Sequence, residues 1–232
     1  MLLITAHAVE RYLENDLTAR RLDAASQTGD EALVCQQWLR QTPAKRYIYE
    51  KLYGDLFDER VRRKVLDIGG GLTSLTRDLA RKQDYEVVDV LAHDCMDTVD
   101  ALKQEVGRNV VLVNDWLMIP PNEYDVIIAN DLLPNVDQRL VLFLQTFLPR
   151  TASLRVSLTW YNSPRFYMTR RIDADEILCM QAWDAQQLSC ALEPFASRII
   201  SYRPALFHEP HESAYPNGRC VCLIEFEGGL KL

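Results

Sequence analysis

The sequence predicts an α/β fold, a mostly parallel β-sheet with helices on both faces, preceded by an N-terminal helical segment. Three observations carry this. From residue 64 short apolar runs alternate with helical segments. Those runs are continuously apolar, as strands covered on both faces must be. Residues 6–57 instead repeat their apolar positions at helical spacing.

Taken in order, Val9, Tyr12, Leu13 and Leu17 share a helical face, and Thr42-Pro43 reads as a cap and first-turn proline opening "AKRYIYEKLYGDLF". In that helix Ile48, Leu52 and Leu56 make one stripe while Tyr49 and Tyr53 make an adjacent one, so it is expected to pack on something larger. Residues 1–60 are therefore expected to form a helical cap, and 61–232 the main body. In the body, "KVLDI", "YEVVDVL", "NVVLV", "YDVIIAN" and "SLRVSLTWY" read as strands, and "LTSLTRDLARK", "DTVDALKQEV" and "QRLVLFLQTFL" as the intervening helices. Residues 173–193 read as a further amphipathic helix. "SRIISYR" and "RCVCLIEF" read as two closing strands in a terminal antiparallel hairpin.

Composition narrows the function. The chain has 232 residues, 26 basic against 33 acidic, with a pI near 5.2, which argues against a broad phosphate-binding face and so against nucleic acid as a partner. The opening "MLLITAHAVERYLE" is too briefly apolar for a secretion signal, and no run approaches a membrane span, so a cytoplasmic protein without a membrane partner is expected. The six cysteines are dispersed and form no CxxC pair; reduced, mostly buried thiols and no metal site are expected.

The stretch "KVLDIGGGLTSLT", residues 64–76, leaves a strand, passes three glycines and enters a helix. Backbone without Cβ at such a junction can approach a ligand closely, and the helix directs N–H groups to the same place. This reads as a nucleotide-type cofactor loop. A nicotinamide fingerprint wants glycine at the sixth position counted from Gly69, where this chain has Ser74. Asp89 closes the second strand twenty residues after Gly69, where a carboxylate can accept from both ribose hydroxyls; Asp94 is the alternative.

"VLDIGGG", then "VVDV", then "NDW" after the third strand, then "YDVIIANDLLPNV" resemble, in that order, the class I S-adenosylmethionine-dependent methyltransferases. The most specific piece is residues 124–136: a strand, Asn130-Asp131, Leu132-Leu133 and a helix beginning near Val136. The resemblance implies a Rossmann-like, seven-stranded sheet and S-adenosyl-L-methionine as cofactor. It implies that Asp67, Gly69, Gly70 and Gly71 surround the methionine part, Asp89 the ribose, Asp115 and Trp116 the adenine, and that Asn130 faces the sulfonium. Thr73 departs from the family's glycine pattern; it could cap the next helix or touch the cofactor carboxylate.

Two stretches are candidates for the acceptor pocket: "TWYNSPRFYMTRR", residues 159–171, following the fifth body strand, and "FHEPHE", residues 207–212. Pro210 between His208 and His211 opposes a helical metal motif, so proton acceptance suits these histidines better. His208, His211 and Tyr161 are the candidate catalytic residues. Tyr49 or Tyr53, with the loop around Tyr161 and Arg165, is expected to close over the cofactor. The expected activity is methyl transfer to an oxygen or nitrogen of a small-molecule or sugar-type acceptor. The alternatives are a methyltransferase-like binding protein without turnover and a nicotinamide-dependent oxidoreductase.

Overall fold

Strand β1 (Leu2–Leu3) opens the chain and is followed by four helices, α1 (Ala6–Leu13), α2 (Leu17–Ala25), α3 (Val34–Gln41) and α4 (Pro43–Tyr53), in a computed structural model that describes residues 1–91, 93–171 and 176–230. Alternating strands and helices come next: β2 (Lys64–Ile68), α5 (Ser74–Lys82), β3 (Asp84–Asp89), α6 (Met96–Val106), β4 (Val111–Val113), β5 (Tyr124–Leu133), α7 (Leu140–Phe147) and β6 (Thr151–Trp160). A hairpin of β7 (Arg165–Arg171) and β8 (Glu176–Ala182), then α8 (Ala185–Leu192) and β9 (Cys220–Glu227), complete the described chain.

Seven strands form one sheet in the order β1-β9-β6-β5-β2-β3-β4. The five from β6 to β4 are mutually parallel, and β9 runs antiparallel between β6 and β1. Both faces are covered, and the pleat sorts the side chains. Along β5, Val126 and Ile128 pack with Leu22, Leu39, Ile48 and Leu52 of the N-terminal helices, whereas Ile127 and Ala129 pack with Phe143, Leu144 and Leu188 of α7 and α8. The four N-terminal helices thus share a core with one face of the sheet.

The parallel strands and their helices lie where the apolar runs predict them. The expected closing antiparallel strand is β9, and its partners differ from expectation. Of "SRIISYR", only Ile199 pairs, with Phe226, and Ile200 N donates to Glu225 O at 2.9 Å. The remaining edge is supplied by β1, whose two residues are too few to produce a period.

Two further expectations are corrected. Part of the predicted helix at 173–193 is strand: β8 pairs with β7 over seven residues, and only from Ala185 does the chain turn helical, capped by Asp184. Residues 173–175 lie outside the described residues. Cross-strand pairing with β7, whose residues were expected to form a loop, outweighs the local helical pattern. The helix expected near Val136 starts at Leu140; the segment before it is held by Val136 and Asp137 N–H groups donating to Leu132 O. Among the described residues no helix is long and apolar enough to cross a membrane.

Candidate active site at the carboxyl ends of the strands

A cavity of about 1220 Å³ opens where β2, β3, β5 and β6 end, bounded on its other side by α3 and α4. At its floor the glycine loop turns through positive φ at Gly69 (71°) and Gly71 (65°), a region that side chains resist. A Cβ at Gly71 would come within 2.2 Å of Cys35 Sγ on α3, and one at Gly70 would meet the Asp67 carboxylate at 2.2 Å. These glycines therefore let the loop pass between a helix above and an acid below. After the loop, Thr73 caps α5: its Oγ1 accepts from Thr76 N at 3.2 Å while Thr76 Oγ1 accepts from Thr73 N at 3.1 Å. Of the two roles expected for Thr73, capping is the one its contacts display.

Asp67 does not line the cavity. Only 3 % exposed, it accepts hydrogen bonds from Tyr53 Oη of α4 at 3.0 Å and from Tyr85 Oη of β3. Its place on the α4 side of the pleat puts it beneath the loop rather than on the cavity wall. Burial raises its carboxyl to about 7 even though both tyrosines oppose that shift. Tyr49 stacks on Tyr53 with ring centroids 4.2 Å apart, and of the two it is Tyr49 that lines the cavity.

Gly69, Gly70, Gly71, Asp89, Asp115, Trp116 and Asn130, spread through the sequence, all border this one cavity. Asp89 Oδ1 accepts from Leu91 N at 2.7 Å, which fixes the carboxylate at the strand end. Asp115 caps the turn Trp116–Met118 through Leu117 N at 2.9 Å, and it takes Arg139 in a two-pronged pair at 3.1 and 2.7 Å. Those Arg139 hydrogen bonds hold its carboxyl below the usual range. Trp116 is buried edge-on against Phe143; its indole N–H donates to Asp137 at 2.7 Å, and Arg139 lies 4.5 Å over its ring. Asn130 Oδ1 accepts from Ser157 Oγ at 2.9 Å.

The other end of the cavity holds residues that sequence reasoning left unassigned. Asp131, at positive φ (56°), binds Lys45 Nζ and Arg219 Nη1, each at 2.9 Å, and Asn135 Nδ2 at 3.1 Å. Burial would raise this carboxyl, but the two cations outweigh it and hold it at about 2. Arg219 in turn covers Tyr215 at 4.0 Å from the ring centroid. Tyr161 and Arg165, both expected at an acceptor pocket, are here too, with Arg165 5.2 Å over the Tyr161 ring. Burial pushes the Tyr161 hydroxyl up to about 12. The signals available in advance were that Asp131 follows the apolar run of β5 and Arg219 immediately precedes that of β9.

His208 and His211 sit elsewhere. They line a second cavity of about 510 Å³ with Trp160, Phe207 and Asp184, sharing only Tyr161 with the first. His211 Nδ1 lies 2.9 Å from Glu209 O, and its ring packs 6.0 Å from Trp160. Of the three candidate catalytic residues, only Tyr161 faces the glycine-loop cavity. Among the described residues no cluster of His, Cys, Asp and Glu could hold a metal.

Comparison with solved structures places this architecture. The fold is that of the class I S-adenosylmethionine-dependent methyltransferases. DhpI, solved as its SAH complex, matches with a TM-score of 0.50 at 14% identity over 96% of this chain and 98% of its own. The 1,6-didemethyltoxoflavin-N1-methyltransferase of Burkholderia thailandensis, solved with its substrate and S-adenosylhomocysteine, matches at 0.50 and 15% over 96% and 90%. An O-methyltransferase from a trans-AT PKS multienzyme of Brevibacillus brevis, also with S-adenosyl-L-homocysteine, matches at 0.50 and 12% over 83% and 75%. No family model matches the chain, and no curated protein does. At these identities the likeness concerns the methyltransferase fold.

Proposed function

We propose that this chain is an S-adenosyl-L-methionine-dependent methyltransferase acting on an oxygen or nitrogen of a small-molecule acceptor. The observation that carries the reading is the single cavity in which the glycine loop, Asp89, Asp115 and Asn130 converge at the strand ends of a methyltransferase fold. Its volume of about 1220 Å³ exceeds the roughly 300–1,000 Å³ of a typical one-ligand pocket, as a site for two reactants requires.

The residues fit the cofactor. Gly69 and Gly71 give the loop its close approach, and Asp89 stands ready for ribose hydroxyls. Asp115 and Trp116 stand at the adenine side, and Asn130 stands between the two ends. Bound there, the cofactor supplies a sulfonium methyl for in-line displacement. The chain contributes alignment and exclusion of water, and holding two reactants in attack geometry is worth about 7–11 kcal/mol. Asp131, ionised and saturated by Lys45, Arg219 and Asn135, is a scaffold rather than a proton acceptor. Tyr161, protonated at neutral pH, donates a hydrogen bond to an acceptor. Residues 1–60 act as the cap of the 61–232 methyltransferase domain, α3 and α4 shielding the reacting centre.

Calorimetry and thermal melting with S-adenosylhomocysteine and with NAD test this. Homocysteine-type cofactor at a hundred times its dissociation constant should stabilise by about 2.7 kcal/mol, and NAD should leave the melt unchanged. Stabilisation by NAD alone would sink the reading.

A further inference from the structure

Charge divides the cavity. At the end built after β3, β4 and the start of α7, Asp89, Asp115 and Asp137 face one arginine, Arg139. At the end built from α4, β5 and the segments flanking β6 and β9, Lys45, Arg165 and Arg219 face one carboxylate, Asp131. Three acids against one cation at one end and three cations against one acid at the other give opposite signs across a single cavity, in a chain whose net charge is −7. The first end disfavours an anion. The second favours an anion.

The second end also has donors without acceptors. Arg219 is nine-tenths buried, and among the described residues only its Nη1 has an acceptor, Asp131. Its guanidinium carbon lies 4.0 Å from the centroid of the Tyr215 ring, and among the described residues neither Nε nor the buried Tyr215 Oη has a partner in hydrogen-bond geometry. Buried donors are rarely left so, and each carries a desolvation cost that a ligand can relieve. Asp131 completes the arrangement: it holds Arg219 and Lys45 in place, and with both of its oxygens occupied it still leaves the pair of cations one positive charge in excess.

We infer that the methyl acceptor carries a compact oxyanion, a carboxylate or a phosphate, and that Arg219, Lys45 and Tyr215 form its seat, on the side of the cavity opposite the adenosine end. The inference rests on the methyltransferase reading and specifies its substrate class. Guanidinium and phenol present planar, directional donors to such a group, and Asp131 fixes the guanidinium before the acceptor arrives.

The test uses the full chain saturated with S-adenosylhomocysteine, after calorimetry has established that this ligand binds. The Nε–H signal of Arg219 in a nitrogen–proton correlation spectrum is followed during titration with benzoate, phenyl phosphate and benzamide. Benzoate or phenyl phosphate should produce a saturable shift, and benzamide, of nearly the same shape without charge, should not. Lys45→Gln, at a side chain more than a quarter exposed, should weaken that binding by about threefold or more and change cofactor affinity by less than about twofold. No saturable shift with either anion, or an equal shift with benzamide, overturns the proposal. Competition between benzoate and S-adenosylhomocysteine also overturns it, because the seat would then serve the cofactor's own carboxylate. Failure of S-adenosylhomocysteine to bind appears in the calorimetry alone; it removes the underlying reading and this inference with it, whatever the anions do.

Discussion

The two ends of the cavity are made differently. At the end proposed for adenosine the loop, Asp89 and Asp115 each stand at or just after the end of a parallel strand, so each lies within a few positions of the apolar run that places it. At the acceptor end Lys45 and Arg219 meet on Asp131 across sequence separations of 86 and 88 residues. The first end is a property of repeated strand-to-helix junctions. The second is a property of the whole fold, assembled from a preceding helix, one strand end and the chain entering an antiparallel strand. The difference teaches that strand-to-helix junctions can build one end of a cavity while long-range contacts build the other, without altering the sheet.

The comparison breaks most severely at Gly71. Gly71→Val would demand positive φ from a branched residue, at roughly 1–2 kcal/mol, and would add about 1–3 kcal/mol for the collision with Cys35. We expect a clearly lower melting temperature and no measurable S-adenosylhomocysteine binding. A variant that melts and binds normally would mean that neither α3 nor the cofactor needs the bare backbone.

Next in size is Asp67, whose effect appears as pH dependence. Its carboxyl titrates near 7 in the fold against 3.8 as the ordinary value, so between those pH values the folded state holds a proton that the unfolded state has lost. The contribution is fully present below about pH 4 and is lost as pH rises through about 7, by up to a few kcal/mol at about 1.4 kcal/mol per unit. Asp67→Asn should flatten the stability profile across that window; denaturant titrations at pH 4.5 and 7.5, values chosen to bracket the change at roughly its limits, would measure it. An unchanged slope would place the proton elsewhere.

Asp89→Ala separates the two ends directly. Loss of hydrogen bonds to a charged group costs about 1.5–3 kcal/mol, roughly one to two decades of cofactor affinity. Calorimetry should show that loss with the fold intact, whereas substitution of Tyr161 by Phe should leave cofactor affinity unchanged. Equal losses in both variants would erase the division.

What the sequence revealed follows the same division. Strands β2 to β6 and their helices were legible because burial on both faces writes a continuous apolar run, and the glycine loop because positive φ has few residue solutions. β7 and β8 were not: Phe166, Met168 and Ile177 are exposed while Met180 and Ala182 are buried, so the apolar residues of this hairpin do not form one core-facing run, and its pairing is with itself. Asp67 stood in the glycine-loop motif but its partners could not be read there, since Tyr53 approaches it only once α4 has packed on the sheet and Tyr85 only once β3 has paired with β2. Asp131 stood in the motif read from residues 124–136, but the motif carried no trace of Lys45 or Arg219.

The smallest expected effect sharpens the adenosine end. Arg139 occupies both oxygens of Asp115 and covers Trp116, so it lies where adenine recognition is expected. Its side chain and that of Asp115 are each more than a third exposed, and such pairs contribute about 0–1 kcal/mol. If Asp115 reads the adenine amino group, it must share an oxygen with Arg139, and removing the arginine frees that oxygen while costing the packing over the indole. The two consequences oppose each other. Arg139→Met, which keeps an apolar stem over Trp116, should therefore change S-adenosylhomocysteine affinity by less than about threefold. Asp115→Ala should weaken binding more than that, since it removes the acceptor itself. Calorimetry on the two variants decides the order: a larger loss from Arg139→Met would assign recognition of the adenine to the guanidinium, with Asp115 serving only to hold it.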